Sequence, residues 1–177
     1  MKKMIVILIT GLGLFTQNAL GCDESCLKEK IELEKKLDFP GYLTWKYCEG
    51  LKLDFMTTDM RSLESYSTKH FDTKYKGPIK NTVRFIDQRK EWLGECDQYL
   101  QLTGKGRVFD DKKTTDIVFG QMDSIKHELK GILDGASYSS ANGDETKEVV
   151  GDKFGQLFKL VDDHKTLLHL KGRYVFN

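Results

Sequence analysis

The sequence predicts an all-α fold: a disulfide-stapled bundle of four to five helices behind a cleaved signal peptide. Three observations predict it. Apolar residues recur at three- and four-residue spacing in several long stretches, the mark of helices with one buried face. No alternating run is long enough for a convincing strand, and the chain holds only two prolines. Four cysteines, an even count, follow an apolar leader.

The leader comes first. Lys2 and Lys3 give a positive start, and Met4 to Phe15 an apolar run. Ala19-Leu20-Gly21 then puts small residues at −3 and −1 of a cut before Cys22. The run is shorter than the roughly 20 residues a bilayer span requires. Residues 1–21 are therefore read as a signal peptide and 22–177 as a single helical domain, periplasmic or secreted. A cysteine directly after the cut also resembles the acceptor of a bacterial lipoprotein. Lipoproteins usually carry Leu at −3 and a small residue at −2, and here the two are exchanged. A lipid-anchored envelope protein is the alternative, and lipidation of Cys22 is the one route to a membrane that the sequence offers.

Leader removal leaves about 156 residues, enough for one domain with a sizeable core. Two lysines leave with it, so the formal charge moves from +1 to about −1. That balance carries no electrostatic footprint for nucleic acid and no polybasic membrane patch. The cysteines, Cys22, Cys26, Cys48 and Cys96, admit three pairings. Cys48–Cys96 is favoured because each lies on a predicted helix, with Cys22–Cys26 as a local pair. Lipidation of Cys22 would leave one thiol over, which favours the soluble reading.

Residues 23–37 predict a short, charged helix. Leu27 with Ile31, and Leu33 with Leu37, form a broad but thin apolar stripe. Acids lead it and Lys35 and Lys36 close it, matching the helix dipole. Residues 38–41 are a turn. Residues 42–71 read as a long second helix with Trp45, Cys48, Leu51, Phe55 and Met56 on its apolar side, continued by Met60 and Leu63. Thr57-Thr58-Asp59 compete for backbone hydrogen bonds and mark the place for a kink.

Residues 78–102 are the stretch around which the chain is organised. Ile79, Val83, Ile86, Leu93 and Leu100 fall on one helical face, with Phe85, Trp92, Cys96 and Tyr99 beside them. Pro78 is expected in the first turn. Gly104 stands where a left-handed cap belongs. At about 1.5 Å per residue the helix would be roughly 37 Å long.

Residues 103–106 form a loop without the spacing of a phosphate loop. Arg107-Val108-Phe109 is expected to plug the bundle. Thr114 or Thr115 is the expected cap of the next helix, whose stripe Val118, Met122, Ile125, Leu129 and Ile132 is the cleanest in the chain, ending at Gly135. Residues 136–144 read as a Ser/Gly/Asn-rich linker, the most mobile part of the mature chain by composition. A last helix over 145–170 carries Val150, Phe154, Leu157, Val161, His164 and Leu168. Gly172 is its stop, and Tyr174-Val175-Phe176 an apolar tail that folds back.

Chemistry-bearing groupings are sparse. His164 and His169 are five apart, a poor fit to one helical face, so His164 is read as a hydrogen-bonded core or boundary residue and not a zinc ligand. The acid pairs Asp110-Asp111, Asp162-Asp163 and Glu95 with Asp97 read as solvated faces. There is no nucleophile elbow, and Cys22-x-x-x-Cys26 lacks thioredoxin-like spacing. No catalytic, cofactor or metal residue is assigned. Core packing is the first reading of the many aromatics; Trp92 and Tyr99 beside Arg89 are the candidate recognition patch.

Gln88-Arg89-Lys90-Glu91-Trp92, followed by Cys96, resembles the central helix of the N-terminal domain of LprI-type lysozyme inhibitors. That helix carries Gln-Arg-x-Trp, then an aromatic, Arg-Asp and Cys. Here Trp92 stands one residue later, Cys96 follows sooner, and no Arg-Asp precedes it. The resemblance covers at most residues 48–133. It implies an exported, cysteine-containing helical domain that binds and inhibits a lysozyme-like muramidase. The expected function is thus a non-catalytic envelope protein of binding or inhibitor type, its partner a muramidase or a wall-degrading toxin. The alternatives are a structural accessory of an envelope secretion or conjugation machine, and a small enzyme with an unrecognised site near His164.

Overall fold

The computed structural model describes residues 22–37, 41–58, 73–134, 140–168, 170 and 172. Its elements are α1 (Glu24–Leu37), α2 (Tyr42–Thr44) running on into a π-helical turn (Trp45–Glu49), α3 (Thr73–Leu102), α4 (Lys112–Asp134) and α5 (Ser140–His164). Among the described residues there is no strand; Phe109 and Lys165 form an isolated antiparallel bridge. The fold is an all-α bundle stapled by two disulfides, Cys22–Cys26 and Cys48–Cys96. The expected leader, Met60, Leu63, Gly135, His70, His169 and the 174–176 tail lie outside the described residues.

α3 is the hub. The α2–π segment and α1 pack against it, α4 does so as well, and α5 packs against α4. One continuous core runs through the whole set, from Leu27 and Ile31 of α1 to Leu157 and Val161 of α5. Ile79, Ile86, Leu93, Cys96 and Leu100 of α3 are buried in it, as are all five residues of the α4 stripe. Polar contacts tie the same helices at their edges. Lys90 and Lys126 of α3 and α4 reach Asp123 and Asp87 across the helix pair, each at 2.5 Å. Lys153 of α5 reaches Glu128 and Ser124 of α4, both at 2.8 Å.

Local chemistry sets the helix ends. Asp23 accepts the Cys26 N–H at 2.8 Å and caps α1. Gly104, at φ +70°, closes α3: its N–H reaches the Gln101 carbonyl and the Lys105 N–H reaches Leu100, the paired bonds of a Schellman cap. Asp111 caps α4 by accepting the Thr114 N–H at 2.6 Å. The expected caps, Thr114 and Thr115, lie inside the first turn and are buried.

Several boundaries differ from the sequence reading. α3 begins at Thr73, so Pro78 is inside the helix rather than in its first turn. Thr82 Oγ1 bonds the Pro78 carbonyl at 3.0 Å. α5 begins at Ser140, and so takes up half of the expected linker. It ends at His164 rather than near residue 170, which leaves Leu168 89% exposed. Leu33 and Leu37 are exposed too, so Leu27 and Ile31 are the buried residues of α1, and Lys30 adds a bond to the Tyr47 hydroxyl at 2.7 Å. The second helix is the largest departure. It stops at Glu49 after a wide turn in which the Gly50 N–H bonds the Trp45 carbonyl, five residues back, at 2.6 Å. A Cβ on Gly50 would stand 2.7 Å from that oxygen, so the turn needs glycine. The break thus falls seven residues before the expected Thr57, whose hydroxyl bonds Asp54 in the next short turn.

Val108 and Phe109 plug the bundle as expected, both fully buried. The end of α5 straps the plug down. Thr166 N–H bonds the Val108 carbonyl at 2.9 Å, and Asp110 N–H bonds that of His164 at 3.2 Å.

Candidate functional site

The α2–π segment and the middle of α3 meet at the Cys48–Cys96 bridge. The π turn advances the chain by a wider step than an α turn, so it re-phases the face that follows. Tyr47, rather than Trp45, therefore turns into the core. Tyr42 and Trp45 point outward at 59% and 61% exposure, and Phe55 follows at 45%. Tyr42 and Trp45 thus stand in solvent on a segment that a buried disulfide and the Thr44–Tyr99 hydroxyl contact at 3.1 Å fix to α3, and Phe55 stands in solvent beyond the Gly50 break.

The candidate patch of Arg89, Trp92 and Tyr99 is placed differently. Arg89 is only 7% exposed. Its guanidinium lies over the Trp92 ring at 4.6 Å and the Phe55 ring at 5.8 Å, a cation–π frame. Burial pushes the Arg89 guanidinium below its ordinary value, and the negative charge of Asp54 opposes that shift. Among the described residues, Arg89 Nε and Nη1 and Asp54 Oδ1 are buried without a hydrogen-bond partner. Tyr99 is buried, and Trp92 is half-buried. As an open patch the trio is corrected: Arg89 and Tyr99 face inward, and Phe55 carries their edge out to solvent. Trp45 and Phe55, expected on the buried side of one long helix, are exposed.

The acid pairs also separate. Asp110 and Asp162 sit at the surface, Asp110 bonded to His164 Nδ1 at 2.9 Å and Asp162 to Lys165 at 2.5 Å. Glu95 and Asp97, read as a solvated face, are buried. Asp97 takes Arg107, the Val108 N–H and Gln101. Glu95 accepts the Cys22 N–H at 2.6 Å, which docks the first described residue onto α3. Burial and the Glu95 charge raise the neighbouring Glu91 carboxyl, with Lys46 opposing. These partners come from 73 and 10 residues away, a distance that no local pattern reveals.

His164 is a half-exposed boundary residue at the end of α5. Among the described residues no group of three or more His, Cys, Asp or Glu could hold a metal ion. No described helix is long and apolar enough to cross a membrane. The chain matches no family model, no curated protein and no solved structure.

Proposed function

We propose that this chain is an exported envelope protein that acts without catalysis, by binding a wall hydrolase of the lysozyme type through the Tyr42–Trp45–Phe55 face. The observation that carries the reading is the exposure of two large aromatics, Tyr42 and Trp45, on a segment locked by a buried disulfide, with Phe55 exposed beyond the Gly50 break. Tyr and Trp supply large contact area at small entropic cost, and they dominate the centres of protein interfaces. A face held rigid before contact loses little freedom on binding. Two bridges suit an oxidising compartment. The Cys22 thiol is committed to Cys26, which leaves it unable to form a lipid thioether and favours the soluble, periplasmic form. The Gln88–Cys96 resemblance supplies the class of partner.

The test combines binding and inhibition. The oxidised protein from residue 22 onward is titrated into a lysozyme-type muramidase, with wall lysis and calorimetric heat both recorded. Inhibition that falls at least tenfold in the exposed-surface variant Trp45→Ala, with the melting temperature unchanged, supports the proposal. No binding to the muramidase by the folded, oxidised protein rejects it.

A further inference from the structure

Glu95 is a buried carboxylate, 8% exposed, on the inner side of α3. Its charge is felt nearby: Glu91, one turn earlier, and Tyr47, from the π turn, are both raised, burial first and Glu95 next. Lys46 opposes both shifts from the same turn. Lys90 lines the same hollow but pairs with Asp123 at 2.5 Å, and Asp87, also on its wall, pairs with Lys126. Phe119 of α4 lines the same hollow with an apolar ring. Among the described residues no Lys, Arg or His forms an ion pair with Glu95. A buried charge without a counter-charge is costly. Among the described residues the one hydrogen-bond donor to it is the backbone nitrogen of Cys22, at 2.6 Å.

That nitrogen is the atom a cut after Gly21 would free. We propose that Glu95 is a receptor for the α-ammonium of Cys22, generated when a signal endopeptidase hydrolyses the Gly21–Cys22 bond. Water adds across that peptide bond. The C–N bond breaks, Gly21 leaves as a carboxylate, and the Cys22 nitrogen takes the proton. Below the ordinary α-amino value of about 7.7–8.0 the new terminus is positive. A neutral N–H···carboxylate bond then becomes a charge-assisted pair, and such pairs are roughly twice as strong. The Cys22–Cys26 bridge and the Asp23 cap hold the nitrogen in place on α1, so processing finishes a site that is already built. The inference rests on the export reading and deepens it: leader removal completes the fold as well as releasing the chain.

The test uses full-length protein exported by a bacterial host. Intact mass fixes the first residue. Four forms are then melted at pH 6: the chain from Cys22, the same chain with Gly21 retained, and Glu95→Gln in each. The expected result is a drop of roughly 5 °C for Glu95→Gln in the chain from Cys22, and a clearly smaller drop when Gly21 is retained. The gap between wild type and Glu95→Gln should also close as pH rises past about 9, because an amine paired with a carboxylate holds its proton above its unfolded value and loses the benefit only beyond it. If the variant does not fold, N-terminal acylation of the wild type decides: the α-amine should react at least tenfold more slowly in the folded protein than in urea. A first residue other than Cys22 overturns the export cut. A Cys22 terminus with equal drops in both backgrounds, or with an unprotected amine, overturns the receptor alone.

Discussion

Asp97 and Arg107 meet at 2.5 Å where α3 gives way to its loop, with the carboxylate buried and the guanidinium half-buried. The second carboxylate oxygen of Asp97 accepts the Val108 N–H at 3.0 Å. A single side chain thus fixes the loop after the Gly104 cap and sets the Val108–Phe109 plug in the core. Asp97→Asn keeps the size and removes the charge. It is expected to cost about 2 kcal/mol, read as a fall of roughly 4–8 °C in melting temperature. Arg107→Met should cost more, because it strands the buried Asp97 carboxylate without its counter-charge, whereas the amide oxygen left by Asp97→Asn can still accept the Val108 N–H. Calorimetry of the two variants checks both the loss and its order.

The two bridges should differ in both weight and access. Cys48 and Cys96 are buried and lie 48 residues apart, whereas Cys22 and Cys26 are half-buried and four apart. In the chain-entropy model the long closure contributes about 4 kcal/mol and the short one about 2 kcal/mol. Graded reduction with mass readout should open Cys22–Cys26 first. Replacing Cys48 and Cys96 together by Ser should lower the melting temperature more than replacing the other pair.

Acid should loosen the start of α4. The Thr114 backbone N–H, and then its hydroxyl, hold the Asp111 carboxyl below its ordinary value. A lowered carboxyl stabilises the fold at pH above its unfolded value near 4 and loses that contribution as pH falls through the folded value. Asp111→Ala should therefore melt lower than wild type at pH 7, with the gap narrowing below about pH 4. Asp111→Asn, which keeps the accepting oxygen, should recover most of the loss at neutral pH. Melting curves from pH 2 to 7 provide the check.

Legibility in the sequence followed the range of the interaction. The α4 stripe from Val118 to Ile132 is set by local spacing alone, and every residue predicted for the core is there. The Gly104 cap is likewise a one-residue property. The pairing Cys48–Cys96 came from helix placement and is found as read. The π turn at Trp45–Glu49 defeats the same logic, because i→i+5 bonding shifts the phase and exchanges Trp45 for Tyr47 in the core. Glu95 and Asp97 looked like surface acids because their partners, Cys22 and Arg107, lie outside any helical repeat. Arg89 belongs to the candidate recognition patch by residue type, yet its flat cation is buried against the Trp92 and Phe55 rings.

The Cys48–Cys96 link has a topological corollary. It turns the stretch from one sulfur to the other into a covalent ring that includes most of α3. A protease that severs the backbone anywhere between Glu49 and Glu95 opens the ring without parting the molecule. The pieces remain one mass on a non-reducing gel and separate only when the sulfurs are reduced. Such a nick is a wound the protein can carry rather than a dissolution.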